Sequence, residues 1–470
     1  MEKAQIGVVG MEVMGKNLAL NIEDKGYKVA VFNRTGSKTE RFVENEASGK
    51  NFIPSYTIED FINSLKTPRK VWLMVKAGFG TDAMIEKISP CLSEGDIMID
   101  GGNSHFKDTE RREEELKVKG ILYVGSGVSG GEEGARYGPC LMPGGEGSAY
   151  KQLETIFKKV AAVADDGTVC VTYIGERGAG HFVKMTHNGI EYAIMESIAE
   201  VYNVLKNALK MSPEEIRGVM AEWEDEKLGG YLMEITVDGL GFIDPDTGKP
   251  LIDLILDKAG QKGTGKWTSQ SAADLGEPIP TIDSALSARF MSAKKEDRVK
   301  ASKIIHGPSE TYDGDKDIVI RALRDALYGS MIVSYAQGLA LLGAASIEYD
   351  YKLNLKEIAN IWKGGCIIRS KLLFPIVEAF ERNPDLTNLL FDPEFSEIIG
   401  DWGLQTNWRL AVKTAFDLGI PVPALQASLT YVDSYSSAFL PANMIQLQRD
   451  IFGAHGFKRV DKEGDFHIPK

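Results

Sequence analysis

The sequence predicts a parallel α/β domain over residues 1–177, a large all-α domain over 178–438 and a C-terminal tail over 439–470. Three observations predict this order. In the first part, short β-branched runs alternate with helical patterns, which is the rhythm of a doubly wound sheet. From Gly178 onward only helical periods are found. After about Phe439 the sequence becomes polar and glycine-rich, with too few apolar residues to form a core of its own.

The strands of the first domain are expected to end in a ligand pocket. Open α/β sheets bind ligands beyond the carboxyl ends of their strands. Glycine, amide and basic groups follow the predicted strands, so the sequence indicates a pocket for a phosphorylated ligand. The runs that predict the strands are IGVVG at 6–10, KVAVF at 28–32, VWLMV at 71–75, DIMID at 96–100, ILYVG at 121–125 and TVCVTYI at 168–174.

Composition narrows the class of protein. A net charge of -13 argues against a nucleic-acid partner, because affinity for phosphate backbones comes from clustered Lys and Arg. Four scattered cysteines suit reduced thiols, and a strand already begins by the fifth residue, so we expect no export and a cytoplasmic location. The uncharged stretch 326–347 is long enough to span a bilayer, but its serines and glycines favour a buried helix, and we expect no membrane partner.

The turn after the first strand carries a dinucleotide fingerprint with one departure. Gly10 makes the tight turn, and Gly15 opens a helix whose N-terminus supplies amides and a dipole for a pyrophosphate. These residues predict a Rossmann-type dinucleotide-binding domain. Glu12 replaces the middle glycine, where the phosphates would repel a carboxylate unless its side chain turns outward.

The residues after the second strand indicate which dinucleotide is bound. Folds that prefer NAD usually place an Asp or Glu there for the ribose hydroxyls, whereas this chain has Asn33, Arg34 and Thr35. An arginine suits a 2′-phosphate. The sequence therefore predicts NADP as cofactor.

The segment KMTHNGIEY at 184–192 places four polar residues on one helical face. Lys184, His187, Asn188 and Glu191 follow the spacing at which apolar residues would normally point to a core. At about 1.5 Å rise per residue, Lys184 and Glu191 lie roughly 10 Å apart along the axis, which leaves room for a small polar molecule. The spacing predicts an acid and a base that face a ligand.

Three other segments complete the predicted substrate end. GGNSH at 101–105 places Asn103 at a strand end, and VSGGEEGARYGP at 128–139 offers Ser129 with the amides of Gly130 and Gly131. AGQKGTGKW at 259–267 adds a group of polar and basic side chains, namely Lys262, Thr264 and Lys266.

Seven motifs spread over the whole chain resemble the 6-phosphogluconate dehydrogenase family, the decarboxylating enzymes of the pentose phosphate pathway within the β-hydroxyacid dehydrogenases. They are GMEVMGKNLALN, FNRT, VSGGEEGA, KMTHNGIEY, QKGTGKW, GGCIIRS and LPANMIQLQRDIFGAH. The resemblance implies that Lys184 removes the C3 hydroxyl proton as hydride passes to NADP, then acts as an acid on the keto intermediate. Glu191 then protonates C1 after carbon dioxide leaves.

The same resemblance implies the binding residues. The carboxylate and hydroxyls of 6-phosphogluconate are held by Asn103, Ser129, Gly130, Gly131, His187, Asn188 and Glu191. The sugar phosphate is held by Tyr192, Lys262 and Arg289, joined by Arg449 and His455 from the neighbouring subunit of a homodimer. NADP is held by Gly10, Glu12, Val13, Met14, Gly15, Asn33, Arg34, Thr35, Val75, Lys76, Ala77 and Asn103.

We expect no metal, because a cationic lysine can supply the electrophile that metal-dependent decarboxylases take from magnesium or manganese. Thr186 stands where the family usually has Val, but no proposed catalytic group is lost. Two alternatives remain open at this point. One is a β-hydroxyacid dehydrogenase that does not decarboxylate, which has no use for Lys262, Arg289 and Arg449. The other is a non-catalytic NADP-binding protein, against which the joint presence of Lys184 and Glu191 argues.

Overall fold

A computed structural model describes residues 2–308 and 311–469, so Met1 and Lys470, the ends of the first and last predicted domains, lie outside the described residues. The first domain is built on one seven-stranded sheet of order β3-β2-β1-β4-β5-β6-β7. Neighbouring strands from β3 to β6 run parallel, and β7 is antiparallel to β6. The strands are β1 (Ile6–Val9), β2 (Val29–Phe32), β3 (Phe52–Ser55), β4 (Lys70–Leu73), β5 (Ile97–Asp100), β6 (Leu122–Ser129) and β7 (Cys140–Gly145).

One predicted strand is wrong and two strands were not predicted. The run at 168–174 forms only isolated bridges, including Leu141 with Val171 alongside β7. Pro143 lies in the middle of β7 and has no N–H to donate, so a continuous ladder cannot form there. The unpredicted strands are β3, which contains Pro54 and lies at the sheet edge where proline is tolerated, and the glycine-rich β7.

Helices cover both faces of the sheet, as the alternating pattern predicts. Two separate apolar clusters fill the spaces between the sheet and these helices, one on each face. The helices of this domain are α1 (Val13–Asp24), α2 (Gly36–Asn45), α3 (Ile58–Asn63), α4 (Phe79–Ile88), α5 (Phe106–Lys117), α6 (Gly131–Tyr137) and α7 (Gly147–Val160).

The second part of the chain is helical, and one large apolar core holds it together. Its helices are α8 (Ala179–Asn207), α9 (Pro213–Asp225), α10 (Tyr231–Leu240), α11 (Thr264–Leu275), α12 (Pro280–Ala293), α13 (Lys295–Ala301), α14 (Lys316–Glu348), α15 (Leu355–Ile361), α16 (Leu373–Arg382), α17 (Pro393–Gly400), α18 (Trp402–Asp417), α19 (Pro423–Tyr435) and α20 (Ala442–Gly453). Helix α14 is long and apolar enough to cross a membrane, but 72% of its most apolar window is buried inside the protein. It is the central core helix that the sequence favoured.

Helix α8 joins the two domains. Its first half packs on β6 and β7, and glycines make this close approach possible. A Cβ on Gly180 would lie 2.4 Å from the carbonyl oxygens of Gly125 and Met142, and a Cβ on Gly127 would lie 2.4 Å from the Cβ of Lys184. Because the backbones approach so closely, the polar face of α8 lies against strands β6 and β7 of the first domain.

The C-terminal segment is structured by polar contacts rather than by a core. Asp450 at the end of α20 is buried and accepts hydrogen bonds from the backbone N–H groups of Gly456 (2.8 Å) and Ile468 (2.8 Å). The Nδ1 atom of His467 lies 2.7 Å from the same carboxylate. These bonds turn the end of the chain back onto α20.

Candidate active site

The polar stripe of α8 is buried. Lys184 is 5% exposed, His187 is fully buried and Asn188 is 9% exposed, whereas the Glu191 side chain is 20% exposed. Burial of an ammonium group is unfavourable unless it has polar partners. The structure therefore brings the predicted acid and base together at a site from which water is largely excluded.

Hydrogen bonds fix the side chains of the stripe. The Nζ atom of Lys184 donates to Asn188 Oδ1 at 2.5 Å and lies 3.5 Å from Nδ1 of His187. Asn188 in turn donates from Nδ2 to Thr264 Oγ1 at 2.8 Å, which links α8 to the first residue of α11. Among the described residues, Asn188 and His187 are thus the side chains that fix the position of the lysine amine.

Burial shifts the acid and the base in opposite directions. It lowers the pKa of the Lys184 ammonium, and the charge of Glu191 opposes this only in part. It raises the pKa of the Glu191 carboxyl, against the charges of Lys184 and Arg289. Burial and the Lys184 charge also hold the pKa of His187 well below its ordinary value. These shifts favour a neutral amine that can accept a proton and a neutral carboxyl that can donate one.

The turn after β6 meets the stripe from the sheet side. Ser129 Oγ lies 3.2 Å from Nε2 of His187, the second ring nitrogen. Gly130 and Gly131 follow with φ values of 112° and 64°, and a Cβ on Gly130 would lie 2.5 Å from the carbonyl oxygen of Gly365. The glycines that the sequence singled out are therefore required by backbone conformation, and at Gly130 also by the GGCIIRS segment.

A cationic corner lies beside Glu191. The guanidinium of Arg289 stacks on the Tyr192 ring at 3.4 Å and donates to the carbonyl oxygen of Gly260 at 3.1 Å. Lys262 is exposed in the same loop. The structure brings Tyr192 and Arg289 together as predicted for a phosphate site, and it leaves the Lys262 ammonium in solvent.

The cofactor end has the glycine cradle that the fingerprint requires. A Cβ on Gly10 would lie 2.4 Å from the Met74 carbonyl oxygen, and one on Gly15 would lie 1.8 Å from the Gly10 carbonyl oxygen. Any side chain at either position would fill the turn, so the geometry fits a dinucleotide pyrophosphate at the start of α1. The Glu12 side chain is 70% exposed and pairs with Lys38 on α2, which is the outward orientation that the sequence required.

The other predicted cofactor residues lie at the carboxyl ends of neighbouring strands. Asn33 Oδ1 accepts a hydrogen bond from the Met11 amide at 3.1 Å, which ties the turns after β1 and β2 together. Arg34 and Thr35 are exposed beside it. Val13 and Met14 begin α1, while Val75, Lys76 and Ala77 follow β4.

A buried network that was not predicted holds the Asn103 turn. Asp100 accepts hydrogen bonds from the Gly102 amide (3.0 Å), Ser104 Oγ (2.6 Å) and Arg112 Nη1 (3.3 Å), and it is fully buried. Asn103 itself is exposed at the tip of this turn. The sequence signal for this network is an Asp at a strand end followed by two glycines.

Two predicted residues stay apart from the site within a single chain. Arg449 donates to Gln446 of its own helix at 3.2 Å, and the His455 ring packs edge-on against Phe452. In the described residues no hydrogen bond joins either of them to the α8 stripe. In residues 2–308 and 311–469 there is also no group of three or more His, Cys, Asp or Glu side chains that could hold a metal ion.

A glycine-cradled dinucleotide fold joined to a buried lysine and carboxyl on one helix defines the class as nicotinamide-dependent dehydrogenases. Residues 5–175 match the family model described as the NAD binding domain of 6-phosphogluconate dehydrogenase, and residues 180–470 match its C-terminal domain. The chain therefore belongs to the 6-phosphogluconate dehydrogenase family.

Individual relatives agree with the family over nearly full length. The chain is 54% identical over 468 residues to the NADP(+)-dependent, decarboxylating 6-phosphogluconate dehydrogenase of Bacillus subtilis (strain 168), covering 99% of both chains. It is 53% identical over 467 residues to the decarboxylating enzyme of Escherichia coli (strain K12), again covering 99% of both. The solved 6-phosphogluconate dehydrogenase of Plasmodium falciparum superimposes with a TM-score of 0.94 at 43% identity, covering 99% of each chain.

Proposed function

We propose that this protein oxidises and decarboxylates 6-phospho-D-gluconate to D-ribulose 5-phosphate and carbon dioxide, with NADP reduced to NADPH. The observation that carries the proposal is the placement of buried Lys184 and mostly buried Glu191 on one face of α8, next to the Arg289 and Tyr192 corner. The Bacillus subtilis and Escherichia coli relatives are named as decarboxylating enzymes, and the Plasmodium falciparum enzyme was solved with NADP+ and with 6-phosphogluconate.

The chemistry follows from the two shifted groups. NADP, when bound, accepts the hydride from C3. Neutral Lys184 takes the C3 hydroxyl proton, and the resulting ammonium then polarises the keto oxygen while the C1 carboxylate leaves as carbon dioxide. Protonated Glu191 gives its proton to the carbon that becomes C1 of ribulose 5-phosphate. Burial supports both roles, because it lowers the pKa of Lys184 and raises that of Glu191.

The substrate sits between the stripe and the turns of the sheet in this proposal. Its carboxylate and hydroxyls contact a set of polar groups around Lys184, namely Asn103, Ser129, Gly130, Gly131, His187, Asn188 and Glu191. Tyr192, Lys262 and Arg289 hold its phosphate. The stacked geometry of Arg289 supports this role, because a guanidinium fixed by a ring presents its remaining donors in one orientation.

NADP rather than NAD is the preferred cofactor, because Arg34 follows β2 in place of a carboxylate. If Arg34→Ala leaves the ratio of the Michaelis constants for NADP and NAD unchanged, this assignment is wrong. The pyrophosphate lies at the start of α1, and Asn33, Thr35, Val75, Lys76, Ala77 and Asn103 line the remaining cofactor path.

The protein is a cytoplasmic homodimer in which the tail beyond residue 438 reaches the neighbouring subunit, with domains at 1–177 and 178–438. The exposure of α20 supports the contact between the tail and a neighbouring subunit, since all residues of α20 are exposed except Gln446 and Asp450. A large exposed apolar surface is typical of an interaction site. Arg449 and His455 then add donors to the neighbour's phosphate site.

One assay separates this function from its alternatives. The purified protein receives NADP and 6-phosphogluconate, and NADPH absorbance and captured carbon dioxide are measured together. We expect equal amounts of the two products. Reduction without carbon dioxide favours a β-hydroxyacid dehydrogenase that does not decarboxylate, and no reduction favours a non-catalytic NADP-binding protein.

A further inference from the structure

An ion pair bridges the first two turns of the nucleotide domain. Glu12 is the N-cap of α1 and makes no capping bond with its side chain, which pairs instead with Lys38. Lys38 lies in the first turn of α2, where its amide donates to the Thr35 carbonyl oxygen at 3.0 Å. The Glu12 side chain is 70% exposed and the Lys38 side chain is 34% exposed, so a ligand can reach both.

The pair lies at the position where the two nicotinamide cofactors differ. In this type of sheet the residue after the second strand meets the 2′ position of the adenosine ribose. Asn33 fixes that position by bonding the Met11 amide at 3.1 Å and the Thr35 carbonyl oxygen at 3.0 Å. Glu12 follows Met11 and Lys38 follows Thr35 by one turn, so both side chains flank the same crevice.

The Glu12 carboxylate is charged at neutral pH. Its hydrogen bond to Lys38 and the charges of Lys38 and Arg41 hold the pKa of Glu12 below its ordinary value. A 2′-phosphate brought to this crevice meets a carboxylate of like charge and an ammonium that is already paired. A 2′-hydroxyl meets an acceptor to which it can donate a hydrogen bond.

We propose that Glu12 reduces the preference for NADP over NAD, because its carboxylate occupies Lys38 and competes with the 2′-phosphate for that ammonium. The inference rests on the proposed function, since it concerns the cofactor of that reaction. Lys38 is released from Glu12 when NADP binds and stays paired when NAD binds. Exposed ion pairs contribute little to stability, so the exchange costs little in the folded protein.

Direct binding of NADP and of NAD to the full-length protein tests the proposal. Titration calorimetry compares the unmodified chain with Glu12→Gln, Lys38→Met and the double variant. We expect Glu12→Gln to tighten NADP binding by about two- to fivefold, the range that the strength of an exposed ion pair allows, while the Kd for NAD does not fall. In the Lys38→Met background the same change should have a smaller effect on NADP, because it relieves only the repulsion between like charges and no ammonium is left to release.

A matched control removes a comparable charge from the same helices. Lys16 on α1 pairs with Glu46 after α2 at 2.8 Å; the two lysines are similarly exposed, 29% for Lys16 and 34% for Lys38, while Glu46 is 34% exposed and Glu12 is 70% exposed. Glu46→Gln should leave the ratio of the two dissociation constants unchanged. The proposal is overturned if Glu12→Gln leaves that ratio unchanged, if Glu46→Gln changes it equally, or if the gain persists in full without Lys38. An unmodified chain that binds no NADP and forms no NADPH from 6-phosphogluconate contradicts the proposed function instead.

Discussion

Helices α8 and α20 differ in how each carries its polar groups. On α8 the predicted base Lys184 is buried and donates a hydrogen bond to Asn188 at 2.5 Å, and the predicted acid Glu191 is mostly buried. On α20 the predicted phosphate ligand Arg449 is exposed, and its side-chain hydrogen bond within residues 2–308 and 311–469 goes to Gln446 of the same helix. This difference fits the proposal that one chain builds the chemical half of the site and that the tail of a partner subunit adds to the binding half.

The apolar residues of the C-terminal segment agree with this division. Burial of apolar surface contributes about 25 cal/mol per Å² removed from water, so a helix exposed on most sides is poorly stabilised by its own chain. A neighbouring subunit would supply the missing contacts. The exposed large apolar side chains of this segment are Phe439, Leu440, Met444, Ile445, Leu447, Ile451, Phe452 and Val460.

The largest expected effect comes from removing the base on α8. Lys184→Met should lower kcat by about 10²–10⁴-fold, the range typical of general acid–base catalysis, because the neighbouring neutral His187, whose pKa is held well below its ordinary value, is too weak a base to replace the amine. The rate of NADPH formation measures this. NADP binding should persist, since the cofactor cradle at Gly10 and Gly15 belongs to another part of the chain.

Thr186→Val is the matched control for this variant. Thr186 is buried on the same helix, and its hydroxyl donates to the carbonyl oxygen of Phe182 at 3.1 Å. We expect its kcat to stay close to that of the unmodified protein. If both variants lose activity equally, Lys184 acts through helix stability and the assigned role is wrong.

The next effect concerns α20. Arg449→Ala should raise the KM for 6-phosphogluconate about ten- to a hundredfold and change kcat less, because a charged hydrogen bond to phosphate contributes about 1.5–3 kcal/mol. Steady-state kinetics together with light scattering check this. A variant that stays dimeric and keeps its KM contradicts the assigned role of the tail.

A smaller effect tests the packing that positions α8. A Cβ on Gly338 of α14 would lie 2.4 Å from Ile190, so Gly338→Ala should destabilise the protein by about 1–3 kcal/mol. Gly343→Ala on the same helix is the control, because its Cβ would meet only Leu355, at 4.0 Å. Urea unfolding midpoints compare them. Equal midpoints for the two variants would show that the α8–α14 contact is not tightly packed.

The smallest effect is a shift in pH dependence. Activity requires neutral Lys184, so it is lost as the pH falls through the pKa of that residue. When ionised, Glu191 raises this pKa against the effect of burial. Glu191→Gln also removes the final proton donor and so lowers kcat, but in the activity that remains the pKa of Lys184 should be lower still. The acid limb of the kcat/KM profile should then move to lower pH. A limb that moves to higher pH would contradict the electrostatic coupling between the two residues.

Local patterns predicted much of the fold and site because they are carried by neighbouring residues. The alternating runs located β1, β2, β4, β5 and β6, and the spacing of Lys184 and Glu191 located the stripe. The run at 168–174 did not form a strand because its bridges depend on β7, whose Pro143 lacks an N–H. Sequence spacing contains no information about that partner.

Charged residues that become buried were a second feature that the sequence did not predict. Arg112 lies in a helix rich in charged residues, where it resembles a solvated side chain, yet it is fully buried against Asp100. Only tertiary packing decides which charged residue of such a helix points inward. Helix α20 was likewise not predicted as a separate element and was included in the polar tail. The bonds that stabilise it join Asp450 to residues up to 18 positions later in the chain.

Subunit complementation tests most directly whether two chains share one site. Lys184→Met and Arg449→Ala subunits carrying different affinity tags are combined, and the hybrid dimer is isolated and assayed at low 6-phosphogluconate. If the tail acts on the neighbour, one of its two sites pairs an intact Lys184 with an intact Arg449, so the hybrid should recover about half the activity of the unmodified dimer. If the tail acts on its own chain, the hybrid would show no more activity than the average of its two parents, and the division between α8 and α20 would be wrong.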